Sequence, residues 1–134
     1  EENISTYGLL YNWYAVDDSR NIAPEGWHVP SKEEWDTLVD YLGANAGGKV
    51  KEVGTQLWVT YNMGATNETG FTALPAGIRA TYFFFLNFKA SFWSSTENLS
   101  NGWAWARHLH FDNTLFDNQN HSKNYGYSIR CVKD

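Results

Sequence analysis

The sequence predicts an α+β fold, a single domain over residues 1–134 with a small antiparallel sheet and two helices, and three observations lead to this prediction. The helical periodicity of apolar residues is confined to the first part of the chain and disappears after residue 55. Short segments rich in aromatic and β-branched residues follow, separated by polar turns. Helices and strands that are segregated along a chain are typical of α+β domains. Hydrophobic residues make up 43% of the chain, which is enough for one core.

Composition excludes several classes of function. The net charge is −5, whereas a nucleic-acid partner requires clustered Lys and Arg. No apolar run reaches the roughly 18 residues that a membrane-spanning helix needs. Cys131 is the single cysteine and therefore excludes an internal disulfide. We expect no nucleic-acid partner, no membrane span in this chain and an export segment upstream of it.

The first part of the chain is expected to hold one strand and the clearest helix. Residues 7–16 are rich in Tyr, Trp, Leu and Val and precede a polar run, which predicts a strand. Ser31 lies three residues before Glu34, as in a capping box, and Gly43 is placed to end the helix. Between them one apolar stripe has helical spacing: Trp35, Leu38, Val39 and Leu42.

The rest of the chain is expected to contain short elements and one long loop. A second, shorter helix is predicted at residues 47–54, and the Gly, Asn, Thr and Pro content of residues 62–77 predicts the loop. Short strands are predicted farther along: residues 78–82, 91–95, 103–111 and 126–132.

The strand at residues 103–111, WAWARHLHF, alternates in a way that defines two rows of side chains. Successive side chains of a strand point to opposite faces. One row is expected to face the core: Trp105, Arg107, Leu109 and Phe111. The other row mixes small and polar side chains and is expected to face outward: Ala104, Ala106, His108 and His110. The outward row is a candidate contact surface for a ligand.

Five aromatic rings crowd a segment whose Asn and Lys neighbours indicate a loop: Tyr82, Phe83, Phe84, Phe85 and Phe88. Five large rings cannot all turn inward from one short irregular segment. Clustered exposed rings are typical of recognition surfaces, where Tyr, Trp and Phe supply much of the binding energy. The alternative is a satellite core packed beneath the long loop.

Metal sites are not predicted. His108 and His110 lie on one face of a strand, within reach of a common ion. Zinc would need a third ligand such as Asp112 or His121, and the spacing does not demand one. Residues 66–70, TNETG, offer oxygen ligands for a hard cation but are more simply a turn. We therefore expect neither a metal nor another cofactor.

Catalytic arrangements are not predicted either. Cys131 lies in an alternating segment and is expected to be a buried structural thiol. No Ser–His–Asp order carries a supporting motif, and the sequence has no Gly-rich phosphate loop. Arg79 and Arg130 are expected to be half-buried partners of carboxylates such as Glu97.

Three landmarks occur in a recognisable order: YGLLYNWYAV at residues 7–16, PEGWHVPSKEEW at residues 24–35 and a C-terminal series that ends in YGYSIRCVKD. In this order they resemble the Fibrobacter succinogenes major paralogous domain family, which has the C-type-lectin-like fold. VPSKEEW and SIRCVKD also resemble landmarks of the formylglycine-generating enzymes, which share that fold. The resemblance implies a small twisted antiparallel sheet with two helices and long irregular loops, in which residues 7–16 pair with residues 126–132.

The C-terminal part of the chain, from FWSSTEN to SIRCVKD, further resembles the variable proteins of diversity-generating retroelements. In such proteins selected codons are randomised while the scaffold codons between them stay fixed. The resemblance implies a variable segment at about residues 78–124 within scaffold positions that include Trp93, Ser94, Ser95, Thr96, Glu97, Trp105, Arg107, Leu109, Tyr125, Gly126, Arg130 and Cys131. The implied ligand-binding positions are Tyr82, Phe84, Phe85, Phe88, Lys89, Leu99, Trp103, Ala106, His108, His110, Asp112 and Asp117.

Together these features predict a non-enzymatic binding module whose contact face is made by residues 80–90 and 98–121. The expected ligand is a protein or another cell-surface molecule, and the expected location is the cell surface, the extracellular space or a phage particle. A carbohydrate stacked on Trp103 or Tyr82 is a second kind of ligand. An oxidoreductase related to the formylglycine-generating enzymes and a purely adhesive surface repeat are the alternatives from other classes.

Overall fold

The structure is a computed structural model that describes residues 2–134 and combines helices with small antiparallel sheets. Its helices are α1 Glu2–Tyr7, α2 Trp13–Val16, α3 Lys32–Leu42 and α4 Ala46–Val50. Its strands are β1 Trp27–His28, β2 Ile78–Arg79, β3 Phe83–Phe84, β4 Lys89–Asn98, β5 Trp103–His110, β6 Asp117–His121 and β7 Val132–Lys133. The α+β prediction is confirmed. None of the helices in the described residues combines the length and the apolar character that a membrane crossing needs.

The main sheet has β5 at its centre, with β4 and β6 antiparallel on either side. β1 pairs with β7, and β2 pairs with β3, in two small additional antiparallel sheets. Because β5 has a neighbour on each edge, the exposure of its side chains depends on what covers the two faces of the sheet.

The helix predicted after Ser31 is confirmed as α3. Ser31 Oγ accepts a hydrogen bond from the Glu34 amide at 3.1 Å, and Glu34 Oε2 accepts one from the Ser31 amide at 2.8 Å. Gly43 ends the helix with a positive φ of 66°, a conformation that glycine adopts without strain. The second predicted helix is confirmed in part, since α4 begins at Ala46 and ends at Val50.

The prediction of a strand at residues 7–16 is wrong, because this segment contains α2. Asn12 accepts a hydrogen bond from the Ala15 amide at 3.2 Å and so begins α2, because a side-chain oxygen at this position satisfies a free helical N–H. Tyr11 forms one antiparallel bridge with Tyr127, with N···O distances of 2.8 and 3.0 Å. The implied pairing of the first segment with residues 126–132 is therefore reduced to a single bridge.

The other strand predictions are confirmed in part. Residues 103–111 contain β5, and residues 91–95 lie within the longer β4. Residues 78–82 contain only β2, and residues 126–132 pair mainly through single bridges before β7. The sequence does not predict β6, because DNQNH is polar throughout and lacks the apolar alternation of a typical strand.

The core consists of two clusters, one on each face of the main sheet. The first cluster lies beneath α3 and α4 and includes Trp35, Leu42, Val50, Trp58, Phe92, Leu109 and Phe116. The second lies beneath α2 and the C-terminal segment and includes Trp13, Ile78, Trp93, Ala104, Ala106 and Tyr127. The central strand therefore has packed side chains on both of its faces.

Polar contacts attach the surrounding segments to β5. The buried guanidinium of Arg107 forms an ion pair with Asp36 of α3 and donates a hydrogen bond to the Phe116 carbonyl at 3.0 Å. The buried ammonium of Lys51 donates to three carbonyl oxygens at 2.9–3.0 Å, those of Met63, His110 and Asn113. The Lys51 contacts join the start of the long loop at residues 62–77, through Met63, to the end of β5 at His110.

Candidate binding surface

The ligand-binding residues predicted from the sequence fall in three regions of the structure. The first group lies at the end of the main sheet where β4 begins: Tyr82, Phe84, Phe85, Phe88, Lys89, His110, Asp112 and Asp117. Ala106 and His108 lie in the middle of β5, and Leu99 and Trp103 lie at the turn between β4 and β5. The single face predicted over residues 80–90 and 98–121 is therefore not formed.

His108 and Ala106 lie in the protein interior. Neither side chain is exposed by more than 1%. His108 Nδ1 is 2.8 Å from Ser91 Oγ, and its ring centre lies 5.4 Å from that of Tyr127 and 5.0 Å from that of His121. Burial lowers the pKa of His108 to about 2, so the imidazole is neutral at pH 7.

The prediction that this row of β5 faces outward is wrong for Ala104, Ala106 and His108. The alternation itself is correct, since Leu109 belongs to the first core cluster and Ala106 to the second. The error concerns the second face, which α2 and the C-terminal segment cover. Trp13 of α2 is fixed there by a hydrogen bond from its indole Nε1 to the Ser94 carbonyl at 2.9 Å.

Leu99 and Trp103 are exposed, at 88% and 45%, but they lie far from the other candidates. Lys89 and Asn98 stand at opposite ends of β4. At about 3.3 Å per residue, the nine residue steps between them separate the two ends by roughly 30 Å. The turn with Leu99 and Trp103 is therefore a second exposed apolar site rather than part of one continuous face.

Lys89, His110, Asp112 and Asp117 form a polar margin beside the aromatic residues. Lys89 is paired with His110 in the antiparallel register, and both are half-buried. His110 Nε2 lies 3.8 Å from Asp117 Oδ2. Burial lowers the pKa values of Lys89 and His110, while Asp117 acts against that shift. Within residues 2–134 the side chains of His, Cys, Asp and Glu form no group of three that could hold a metal ion.

The aromatic segment, residues 82–88, presents six large apolar side chains to solvent. Their exposed fractions range from 38% to 74%: Tyr82, Phe83, Phe84, Phe85, Leu86 and Phe88. The rings lie edge-to-face or tilted against one another, with centre distances of 6.5 Å for Tyr82–Phe84 and 6.2 Å for Phe84–Phe85. The prediction that these rings are exposed is confirmed, and a satellite core beneath the loop is not what the structure contains.

The backbone of the aromatic segment is held in place although its large side chains are exposed. Asn87 Nδ2 donates to Tyr7 Oη at 2.7 Å and to the Leu57 carbonyl at 2.6 Å. Phe85 has a φ of +59°, a left-handed conformation that is uncommon for a bulky residue. At Gly77, a Cβ atom would lie 2.4 Å from the Phe84 carbonyl oxygen, so only glycine permits this approach. Strained backbone that persists in a surface segment is often associated with function.

Sequence reasoning missed the apolar residues that adjoin the aromatic segment. Ile4, Leu9 and Leu10 line a cavity next to β3, together with Phe83 and Leu86. The sequence assigns residues 7–16 to a strand, and that assignment concealed this role. A signal was available in the glycine at position 8, because glycine often marks a break in an element. In the structure Gly8 has a φ of +76° and stands between α1 and the Leu9–Leu10 pair.

The burial of Cys131 and the partners of Glu97, Arg79 and Arg130 differ from those predicted. Cys131 is half-buried rather than fully buried, and desolvation raises the pKa of its thiol. Glu97 forms an ion pair with Lys123 at 2.5 Å instead of with an arginine. Arg79 and Arg130 are exposed, and their guanidinium groups lie against the rings of Phe83 and Phe71, respectively.

Comparison with known proteins gives one match. The family model described as the Fibrobacter succinogenes major domain matches residues 1–133. No curated protein and no solved structure matches the chain. Since the family match extends over nearly the full length, the chain belongs to the Fibrobacter succinogenes major domain family.

Proposed function

We propose that this protein is a non-enzymatic binding module that uses the aromatic segment to recognise a protein or another cell-surface molecule. The observation that carries the proposal is the display of six large apolar side chains on a backbone that Asn87 and Gly77 hold in place. A patch of clustered exposed rings on a folded domain marks an interaction site, and a rigid backbone reduces the entropy lost on binding. The polar margin of Lys89, His110 and Asp117 supplies the rim that such interfaces have.

We further propose that the fold is C-type-lectin-like. Three features support this proposal: a small central antiparallel sheet, helices packed against it, and a pairing of β1 with β7 that joins early and late parts of the chain. An experimental structure superposed on C-type-lectin-like domains tests it. A different order of strands in the main sheet would contradict it.

Diversification by a retroelement is proposed for the exposed positions only. The C-terminal resemblance supports it, and the exposure of Tyr82, Phe84 and Phe85 is compatible with frequent replacement. Ala106 and His108 are removed from the proposed contact set, because a side chain in the core cannot touch a ligand. A template copy of the 3′ part of the gene that differs at adenines, next to a reverse transcriptase, is the genomic arrangement expected.

We also propose a location at the cell surface, outside the cell or on a phage particle, because a module that binds cell-surface molecules must be exposed to them. Labelling of intact cells or particles with an antibody against the domain tests it. Signal that appears only after permeabilisation would contradict a surface location.

Carbohydrate binding at the distal turn is the second candidate function. Trp103 exposes 45% of its surface beside the exposed Leu99, and flat exposed rings stack on sugars. A glycan array tested with the wild type and with Trp103→Ala distinguishes this site from the aromatic segment. Loss of glycan binding in Trp103→Ala alone would favour the carbohydrate function.

An enzyme related to the formylglycine-generating enzymes and a purely adhesive repeat are tested separately. A catalytic Cys131 would be expected to react rapidly with a thiol reagent in the native protein. We expect slow labelling, because the thiol is half-buried and burial raises its pKa. An adhesive repeat would accept substitutions evenly over the surface in sibling sequences, without concentration at residues 82–88.

The decisive experiment is a binding selection with a matched control. The wild-type domain is used to select binders from a displayed library of surface-protein ectodomains, and each binder is re-tested against two double variants. Tyr82→Ser/Phe85→Ser changes the aromatic segment, whereas Tyr14→Ser/Tyr41→Ser removes two equally exposed rings elsewhere. We expect the first variant to reduce affinity at least about tenfold, as truncation of central aromatic residues does, and the second to retain it. Equal retention by both variants would refute the proposal.

A further inference from the structure

A cavity of about 320 Å³ lies behind the aromatic segment. Its walls come from α1, from the Leu9–Leu10 pair and from β2–β3, and they include Ile4, Tyr7, Leu9, Leu10, Phe83 and Phe84. Sites for small molecules begin at about this size and are lined mainly by apolar and aromatic groups. The cavity therefore has room for one small apolar body, such as a benzene ring on a short chain.

Arg79 is the one charged residue in the lining of this cavity, as far as residues 2–134 are concerned. Its backbone is fixed by a pair of hydrogen bonds with Gly126, at 3.0 and 2.7 Å. Its guanidinium carbon lies 5.9 Å from the centre of the Phe83 ring. No carboxylate of the described chain lies within ion-pair distance of it. A guanidinium beside an apolar wall favours a ligand that brings a carboxylate to it.

A second cavity is also lined by an arginine and can be compared with the first. It has a volume of about 260 Å³ and is lined by Trp35, Phe71 and Arg130, but its lining also contains the carboxylate of Glu34. Glu34 forms an ion pair with His28 at 2.8 Å and keeps a negative charge there, because hydrogen bonds and His28 lower its pKa. The second cavity therefore already has a carboxylate in its lining beside the arginine, whereas the lining of the first cavity, among the described residues, has none.

Apolar side chains that line the first cavity are partly exposed to solvent. None of the side chains of α1 is buried, and Ile4 and Leu9 each expose about half of their surface. α1 is nevertheless attached to the aromatic segment, because Tyr7 Oη accepts the hydrogen bond from Asn87 Nδ2. A small apolar ligand would cover Ile4 and Leu9 without requiring the segment to rearrange.

We propose that this cavity binds a small apolar carboxylate, an aromatic or short-chain acyl acid whose carboxylate pairs with Arg79 and whose apolar body lies against Phe83, Phe84 and Ile4. This inference deepens the proposed function and rests on it, since Phe84 belongs to the aromatic segment. The apolar body gives affinity through the area removed from water, and the guanidinium distinguishes an acid from its neutral analogue.

The proposal is tested by titrating the protein with 3-phenylpropionate and with 3-phenylpropionamide, which has the same shape and no charge. Binding is followed by calorimetry and by amide chemical shifts. We expect the acid to bind about tenfold more tightly than the amide, a difference typical of one charge-assisted hydrogen-bonded pair. Arg79→Gln is expected to abolish this discrimination, and Arg79→Lys to retain part of it.

Arg130→Gln is the matched control, because Arg130 is also exposed, lies on a phenylalanine ring and lines a cavity. It is expected to leave the discrimination unchanged. Equal binding of acid and amide by the wild type would overturn the proposal. So would the absence of binding, or discrimination that persists in Arg79→Gln.

Failure of this inference can be separated from failure of the proposed function. Tyr82 and Phe85 belong to the aromatic segment but not to the lining of the cavity. We expect Tyr82→Ser/Phe85→Ser to bind 3-phenylpropionate as the wild type does while it loses the macromolecular ligand. If Arg79→Gln keeps the macromolecular ligand and the acid never binds, only the further inference fails.

Discussion

The aromatic segment and the middle of β5 were predicted to share one surface, and the structure separates them completely. Tyr82, Phe84 and Phe85 are exposed although they carry large aromatic rings, whereas His108 is fully buried although it is polar. The difference arises from what lies above each segment. The C-terminal segment and α2 cover the second face of β5, while residues 82–88 contact α1 around a cavity and keep 38–74% of their large side chains exposed.

The alternation of a strand identifies its two faces but not what covers them. In β5 the face with Leu109 and the face with Ala106 are both buried, and a buried second face can be built from small and polar side chains. The alanines leave room for large rings such as Trp93 and Tyr127, whose centres are 4.3 Å apart. Polarity alone therefore does not indicate exposure in a strand that is covered on both sides.

The largest expected effect is that of Leu109→Ala in β5. The side chain is fully buried in the first core cluster, and its truncation leaves a cavity that the surrounding core fills only in part. We expect unfolding in urea to show a loss of about 3–5 kcal/mol. Leu99→Ala makes the same chemical change at a side chain that is 88% exposed, and a comparable loss there would contradict the contrast between the two sites.

His108→Ala is expected to destabilise the fold by about 2–3 kcal/mol, because it creates a cavity and leaves the buried Ser91 hydroxyl without its partner. Thermal and urea unfolding measure this loss. The double-mutant cycle with Ser91→Ala isolates the energy of the hydrogen bond. An unchanged melting temperature in His108→Ala would contradict the burial of this side chain and favour the outward orientation that the sequence predicts.

Acid is expected to destabilise the domain before its carboxylates titrate. Burial lowers the pKa values of His108, His110 and His121 below the ordinary value of 6.5, so the unfolded state binds these protons at a higher pH than the folded state does. The stability that these neutral imidazoles provide is present above pH 6.5 and declines below it, by at most about 1.4 kcal/mol per pH unit for each histidine. Urea unfolding at pH 7, 6 and 5 measures the decline.

The stability contribution of His28 changes with pH in the opposite direction, so His28 serves as the control for this prediction. Hydrogen bonds to Asp134 and Glu34 raise its pKa, so its contribution is present at low pH and is lost as the pH rises through the raised value. His28→Asn should steepen the acid decline slightly, whereas His108→Asn should flatten it. Identical pH profiles for the wild type and His108→Asn would show that His108 is not the buried group responsible.

The smallest expected effect is that of Tyr82→Ala. The ring is 71% exposed and makes no side-chain hydrogen bond within the described chain, so the free energy of unfolding should change by no more than about 0.5 kcal/mol. Trp103→Ala at the distal turn is expected to behave similarly. A loss in Tyr82→Ala as large as that in His108→Ala would mean that the aromatic segment is part of the core.

Local signals explain which parts of the fold could be predicted. α3 was predictable because Ser31, Glu34 and Gly43 act on the backbone within a few residues of themselves. The strand at residues 7–16 could not be excluded, because its replacement by α2 depends on the cap that Asn12 forms and on a distant bridge to Tyr127.

The candidate site residues also divide into those that local sequence identifies and those whose environment depends on distant parts of the chain. The crowding of rings in residues 82–88 predicts exposure from volume alone, since so short a segment cannot bury them all. The burial of His108 depends on α2, residues 125–129 and Ser91, which are distant in sequence and meet only in the folded chain. The cavity with Arg79 depends on α1, which the sequence analysis did not identify.

The composition of β6 has a consequence for solubility. Within the described residues this strand pairs with β5 alone, so its other side is an open sheet edge. Every residue in it is Asp, Asn, Gln or His, and none is apolar. An open edge with apolar side chains would recruit strands of neighbouring molecules, whereas polar and charged side chains oppose such stacking. The polar edge of β6 therefore opposes edge-to-edge association of a domain that exposes six large apolar side chains elsewhere.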